Sequence, residues 1–230
     1  MAGASRGTHT DPLEQFAGVH VLADDDPRWN HGPVEQARFA CRGGARVIQL
    51  RAKHATDRVI LEWARAIREI TLETATAFVV NDRFDLALLA KADGVHLGQN
   101  DLPVSAIPAE ARKQLAVGRS THTLEQALAA AGENVDYVAF GPVFNTHSKD
   151  TGYIERGCDA LRKVAAGISP RTLVAIGGID AENAADVRSA GASGIAVISA
   201  VSAAANPSTA TRELVAAFAT RTEREQENLV

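Results

Sequence analysis

Cysteine is scarce. The 230-residue chain has two, Cys41 and Cys158, far apart and outside any CxxC or Cys/His cluster. That argues against a disulfide framework or a zinc site, and a reducing cytoplasm is the expected compartment. Long apolar runs are missing too: none approaches the roughly 18 residues that span a bilayer. Residues 1–12 are small and polar and lack the apolar stretch of a signal peptide, so a soluble protein with no membrane partner is expected. Basic blocks are absent, 24 Lys plus Arg standing against 28 Asp plus Glu, and no nucleic-acid partner is expected. Neither low-complexity sequence nor a linker interrupts the chain. A single domain over 1–230 is predicted, with a core at about 14–220 and frayed ends at 1–13 and 221–230.

What is present is a repeated alternation. Short β-branched runs at 19–23, 46–51, 77–81, 94–97, 115–119, 137–140, 173–176 and 194–198 are separated by Ala-rich helical stretches. This is the pattern of βαβ units and a parallel sheet. Within 59–70, Ile60, Trp63, Ile67 and Ile70 share one helical face, which should dock on that sheet. Eight successive units predict a closed (β/α)8 TIM barrel of the α/β class. The rival, an open doubly wound sheet, calls for a Gly-rich turn after the first strand; Ala23, Asp24, Asp25, Asp26 and Pro27 stand there instead.

Barrel chemistry is placed at the C-terminal ends of the strands, and polar residues collect at those ends here. The second run closes on Gln49, Arg51 and Lys53, the third on Asn81 and Asp82, and the fourth leads into Asp101. Strand-end cations also occur as solvated residues, and either acid would serve as a helix cap. Together the two carboxylates beside Arg51 and Lys53 suit Mg2+, which takes few carboxylates plus diphosphate oxygens and waters. After the fifth run come Ser120, Thr121, His122 and Thr123, with Thr123 placed to cap the next helix. A polar loop over 141–152, carrying Thr146, Ser148 and Lys149, has the composition of a lid and equally of a solvated loop. Gly177 and Gly178 follow the seventh run, and Ser199 and Ala200 the eighth. Small residues there let backbone amides approach a phosphate, although a tight turn would explain the glycines.

Taken in order, these segments resemble the thiamine phosphate synthase family from about residue 19 to 201. Residues 49–53 look like its QLRxK segment, 80–86 like NDRxDLA and 94–101 like GVHLGQxD. Residues 141–149 look like GPVFxTxTK, 175–179 like AIGGI, and 196–200 like the final phosphate loop. The resemblance implies that Gln49, Arg51, Lys53, Asn81, Ser120 and Lys149 hold an aminopyrimidine diphosphate, and that Asp82 and Asp101 hold Mg2+. It further implies that Thr146, Ser148, Gly178, Ile198 and Ser199 surround a thiazole phosphate, and that the barrels pair as a homodimer. Arg51, Lys53, Ser120 and Lys149 would take part in catalysis. Three positions depart from the pattern: Ala52 for an acid, Arg119 for a small apolar residue, and Ser148 for threonine.

The implied reaction displaces diphosphate from the pyrimidine methylene carbon through a cation, with the thiazole nitrogen as nucleophile and no protein nucleophile. Cations and Mg2+ would stabilise charge growing on the leaving group. Ser120 and His122 lack a carboxylate orienter for a triad. Two alternatives stay open. One is a thiazole tautomerase of similar fold, which has no use for a metal–diphosphate site and would make His122 the residue of interest. The other is a non-catalytic phosphate-binding barrel, against which Asp82, Asp101 and Lys149 count.

Overall fold

The computed structural model describes residues 15–146 and 154–220. The predicted frayed ends, and Ser148 and Lys149 of the predicted lid, lie outside the described residues. Eight parallel strands form the barrel: β1 (Gly18–Asp24), β2 (Val47–Arg51), β3 (Ala77–Asn81), β4 (Gly94–Leu97), β5 (Ala116–Thr121), β6 (Tyr137–Phe140), β7 (Thr172–Ile176) and β8 (Gly194–Val197). Each pairs with the next, and β8 closes on β1 with Gly18 opposite Gly194. The helices are α1 (Pro33–Gly43), α2 (Asp57–Glu73), α3 (Phe84–Leu89), α4 (Ala109–Arg112), α5 (Leu124–Gly132), α6 (Gly157–Ile168), α7 (Ala184–Ser189), α8 (Ser199–Ser202) and α9 (Pro207–Ala219), with a 3-10 turn at Val104–Ala106. Among the described residues no helix is long and apolar enough to cross a membrane.

Strand side chains alternate between the barrel interior and the helix layer. Leu22, Val47, Val79, Tyr137, Ala139, Val174 and Ala196 fill the interior, and Phe16 stacks on Tyr137 with ring centroids 5.0 Å apart. Their neighbours, among them Val21, Ile48, Val80, Val117 and Val138, face the helices. The expected face of α2 is the one that docks: Ile60, Ala64, Ile67 and Ile70 are buried, while Trp63 packs at its edge, half-buried. Complete burial of a side chain such as Ile67 stabilises by about 1.5–3 kcal/mol.

Several strand bounds shift by one residue from the sequence expectation, β1 for example running from Gly18 to Asp24, and the end of β5 shifts by two. β5 runs on to Thr121 because that residue continues the ladder opposite Phe140, and its hydroxyl donates to the Ala139 carbonyl at 2.9 Å. β8 stops at Val197; Ile198 leaves extended geometry (φ −120°, ψ −80°) to start α8.

Candidate active site

The cationic end of β2 is set by acids that the sequence reading used only to argue against a dinucleotide turn. Arg51 pairs with the buried carboxylate of Asp24 on the neighbouring strand. Asp24 is itself held: its Oδ1 accepts from Trp29 Nε1 at 2.9 Å and from the Asp26 amide at 3.0 Å. Its backbone exchanges two hydrogen bonds of 2.9 Å with the Gln36 amide group. Asp25 accepts from the amides of Lys53, His54 and Ala55 at 2.7, 2.9 and 2.9 Å, folding the segment that carries Lys53. The ammonium of Lys53 then reaches across to pair with Asp82. The signal was available as an acidic triplet at the end of one strand beside a cationic pair on the next.

Asp82 adopts a left-handed backbone (φ 67°), uncommon outside glycine and characteristic of turns and functional sites. It is not the cap of α3, whose N-cap position is Arg83. Asp101 is no helix cap either, since its Oδ2 accepts from the Gly98 amide at 2.6 Å. The two carboxyls lie close enough for each to perturb the other's titration. Burial raises the Asp82 carboxyl above the usual carboxylate range, and the neighbouring Asp101 carboxyl raises it further against the pull of Lys53. Burial also pushes Asp101 upward, but the neighbouring Asp82 carboxyl and the Gly98 amide hold it below that range on balance. Among the described residues no group of three or more His, Cys, Asp or Glu side chains is arranged for a metal. Two neighbouring carboxylates, whose repulsion a divalent cation would relieve, suit Mg2+, which would complete its shell with substrate oxygens and waters.

Gln49 is buried and shares the inward alternation of Val47, and Asn81 shares that of Val79 at the barrel rim. Ser120 Oγ lies 2.7 Å from His96 Nε2. His122 is turned elsewhere, its Nδ1 lying 2.6 Å from the Gly141 carbonyl oxygen, so Ser120 and His122 do not pair. Thr123 caps α5, its hydroxyl accepting from the Gln126 amide at 3.2 Å. Arg119, left undecided by the sequence, follows the outward alternation of Val117 and is buried in the helix layer. Its Nη1 meets no partner among the described residues.

The late strands enclose a cavity of about 170 Å³ whose lining joins Ser120 and His122 to Thr146, Gly178, Ile198 and Ser199. Gly178 has φ 65°, and a Cβ there would stand 2.4 Å from the Asn145 carbonyl oxygen, so glycine is required to bring this backbone to the cavity wall. A more open cavity of about 540 Å³ adjoins it, sharing Thr146, Gly178 and Ser199 and adding Arg28 and Trp29. A larger cleft of about 960 Å³ lies away from these strand ends, between the 3-10 turn, α4 and Asn134.

A closed parallel barrel with paired acids, cations and a glycine-walled cavity at the C-terminal ends of its strands defines a (β/α)8 enzyme with its chemistry on that face. Comparison with known proteins narrows the class. Residues 19–201 match the family described as thiamine monophosphate synthase. A thiamine-phosphate synthase of Methanoculleus marisnigri is 45% identical over 196 residues, 85% of this chain and 92% of that one. Another, of Anaeromyxobacter dehalogenans, is 50% identical over 187 residues, 81% of this chain and 83% of its own. The solved thiamine phosphate pyrophosphorylase of Pyrococcus furiosus superposes with a TM-score of 0.80 at 37% identity, covering 90% of this chain and 97% of that one. The chain belongs to the thiamine monophosphate synthase family, and it is a transferase of thiamine biosynthesis.

Proposed function

We propose that the enzyme joins 4-amino-2-methyl-5-(diphosphooxymethyl)pyrimidine to 4-methyl-5-(2-phosphooxyethyl)thiazole, or to its 2-carboxy form, releasing diphosphate. The observation that carries this is the neighbouring carboxyl pair Asp82–Asp101, with the Lys53 ammonium on Asp82 and Arg51 at the end of the adjacent strand. A thiazole tautomerase has no use for such a pair, and a non-catalytic barrel has no reason to keep it.

In this reading Gln49, Arg51, Lys53, Asn81 and Ser120, with Lys149, hold the pyrimidine diphosphate, and Asp82 and Asp101 hold Mg2+. The ion, when bound, neutralises charge on the diphosphate. The bond between the pyrimidine methylene carbon and the diphosphate oxygen breaks, its electron pair leaving with diphosphate. Arg51, fixed in place by Asp24, and Lys53 stabilise that departing charge without having to reorganise. The thiazole nitrogen then supplies the electron pair of the new carbon–nitrogen bond. Thr146, Ser148, Gly178, Ile198 and Ser199 hold the thiazole phosphate, and the last three, which line the enclosed cavity, act mainly through backbone amides. Cys41 and Cys158 are both free thiols, which fits a reducing cytoplasm. A homodimer is part of the same proposal.

Asp82→Ala and Asp101→Ala test the assignment. Each is expected to lower kcat for coupling by a hundredfold or more on the order of a lost charge contact at the transition state, and to weaken Mg2+ binding in calorimetric titration with diphosphate present. Unchanged turnover and unchanged Mg2+ binding in both variants would remove the metal assignment.

A further inference from the structure

Under the pocket floor, three strands place His96, Gly118 and Tyr137 at one level: His96 is in register with Gly118, and Gly118 with Tyr137. Gly118 has no side chain where a Cβ would fall 2.1 Å from the Tyr137 ring, so the tyrosine occupies its place and stacks on His96, centroids 5.5 Å apart. Both rings are buried. Tyr137 Oη lies 3.0 Å from His96 Nδ1, and His96 Nε2 lies 2.7 Å from Ser120 Oγ.

The direction of these two hydrogen bonds follows from which groups have an alternative. Burial pushes the Tyr137 phenol far above its usual range, so the hydroxyl keeps its proton. Among the described residues His96 Nδ1 is its hydrogen-bond partner, and a buried donor left without an acceptor is costly. The phenol therefore donates to Nδ1. A ring carrying hydrogen on Nδ1, whether neutral or doubly protonated, would strand the phenolic proton. The ring hydrogen is accordingly on Nε2 and is donated to Ser120 Oγ. With an oxygen lone pair engaged by His96, the serine hydrogen is left to point at whatever occupies the cavity that Ser120 lines.

We propose that Tyr137 and His96 are positioning residues that hold the Ser120 hydroxyl as a one-way donor toward an anionic oxygen of the pyrimidine diphosphate. The identity of that acceptor rests on the function proposed above; the direction of the relay does not. Ser120 would otherwise be free to donate to His96 and turn a lone pair toward the leaving group, which repels it.

The test joins a tautomer measurement to a mutant cycle. In 15N-histidine-labelled, ligand-free enzyme, His96 is expected to give the Nε2–H pattern, with its signals assigned by their loss in His96→Gln. Tyr137→Phe keeps the stacked ring and removes only the hydroxyl; it should leave the far-UV spectrum unchanged and abolish the preference for Nε2–H. It should also lower kcat/KM for the pyrimidine diphosphate about tenfold, the worth of one neutral hydrogen bond, with KM for the thiazole phosphate within about twofold. Ser120→Ala should lose at least as much, and adding Tyr137→Phe to it should cost nothing further. An Nδ1–H tautomer in the parent enzyme, or losses that multiply in the double variant, overturns the relay. If the parent enzyme releases no diphosphate from the two substrates, the proposed function fails, and the tautomer still decides the direction of the relay.

Discussion

Acid should weaken this barrel from its interior, through His20. The imidazole is completely buried on β1, edge-on to Tyr137, with Nε2 2.7 Å from the Phe16 carbonyl oxygen and Nδ1 without a hydrogen-bond partner among the described residues. Burial lowers its pKa from 6.5 to about 4, only partly offset by the Phe16 carbonyl. The unfolded chain thus takes up a proton as pH falls through 6.5, whereas the folded chain does so only near 4. The stability that His20 contributes as a neutral ring is complete above 6.5, declines between 6.5 and about 4, and changes no further below. At about 1.4 kcal/mol per pH unit across that window, the loss by pH 4.5 is about 2–3 kcal/mol, a large share of a typical domain's stability. The perturbation is His20→Leu, which fills similar space without a titrating group. Denaturant unfolding followed by circular dichroism at pH 7 and 4.5 should show the parent losing about 2–3 kcal/mol more than the variant. Carboxyl titrations common to both proteins cancel in that difference. Parallel losses would refute a neutral buried His20.

Two further substitutions probe the face above it. Asp24→Asn keeps an acceptor for Trp29 but removes the charge that fixes Arg51, so kcat/KM for the pyrimidine diphosphate should fall about tenfold or more, read in steady-state coupling assays. Gly178→Ala places a methyl group against the Asn145 carbonyl in a left-handed backbone. KM for the thiazole phosphate should rise about tenfold or more through the displaced cavity wall, with KM for the pyrimidine diphosphate unchanged.

The barrel was legible because each strand is buried on both faces and reads as a short apolar run between amphipathic helices. The polar ends of those runs marked the working face for the same reason: Arg51, Asp82 and Ser120 stand where an apolar pattern breaks. Partnerships across strands were not legible. Asp24 with Arg51, Lys53 with Asp82, and the layer of His96, Gly118 and Tyr137 depend on the stagger between parallel strands, which no local pattern encodes. Gly118 could be read only as a glycine in a strand, and its meaning is the space it leaves for a ring two strands from His96. Arg119 was decided by alternation alone, once β5 was seen to carry Ser120 inward.

The central claim is a metal-assisted coupling at this face, and its most direct measurement is diphosphate release with both phosphorylated heterocycles present, with and without Mg2+. Equal amounts of diphosphate and thiamine phosphate, formed only when both substrates and Mg2+ are supplied, is the predicted result. Full-rate coupling in EDTA, or isomerisation of the thiazole with no diphosphate released, would contradict it.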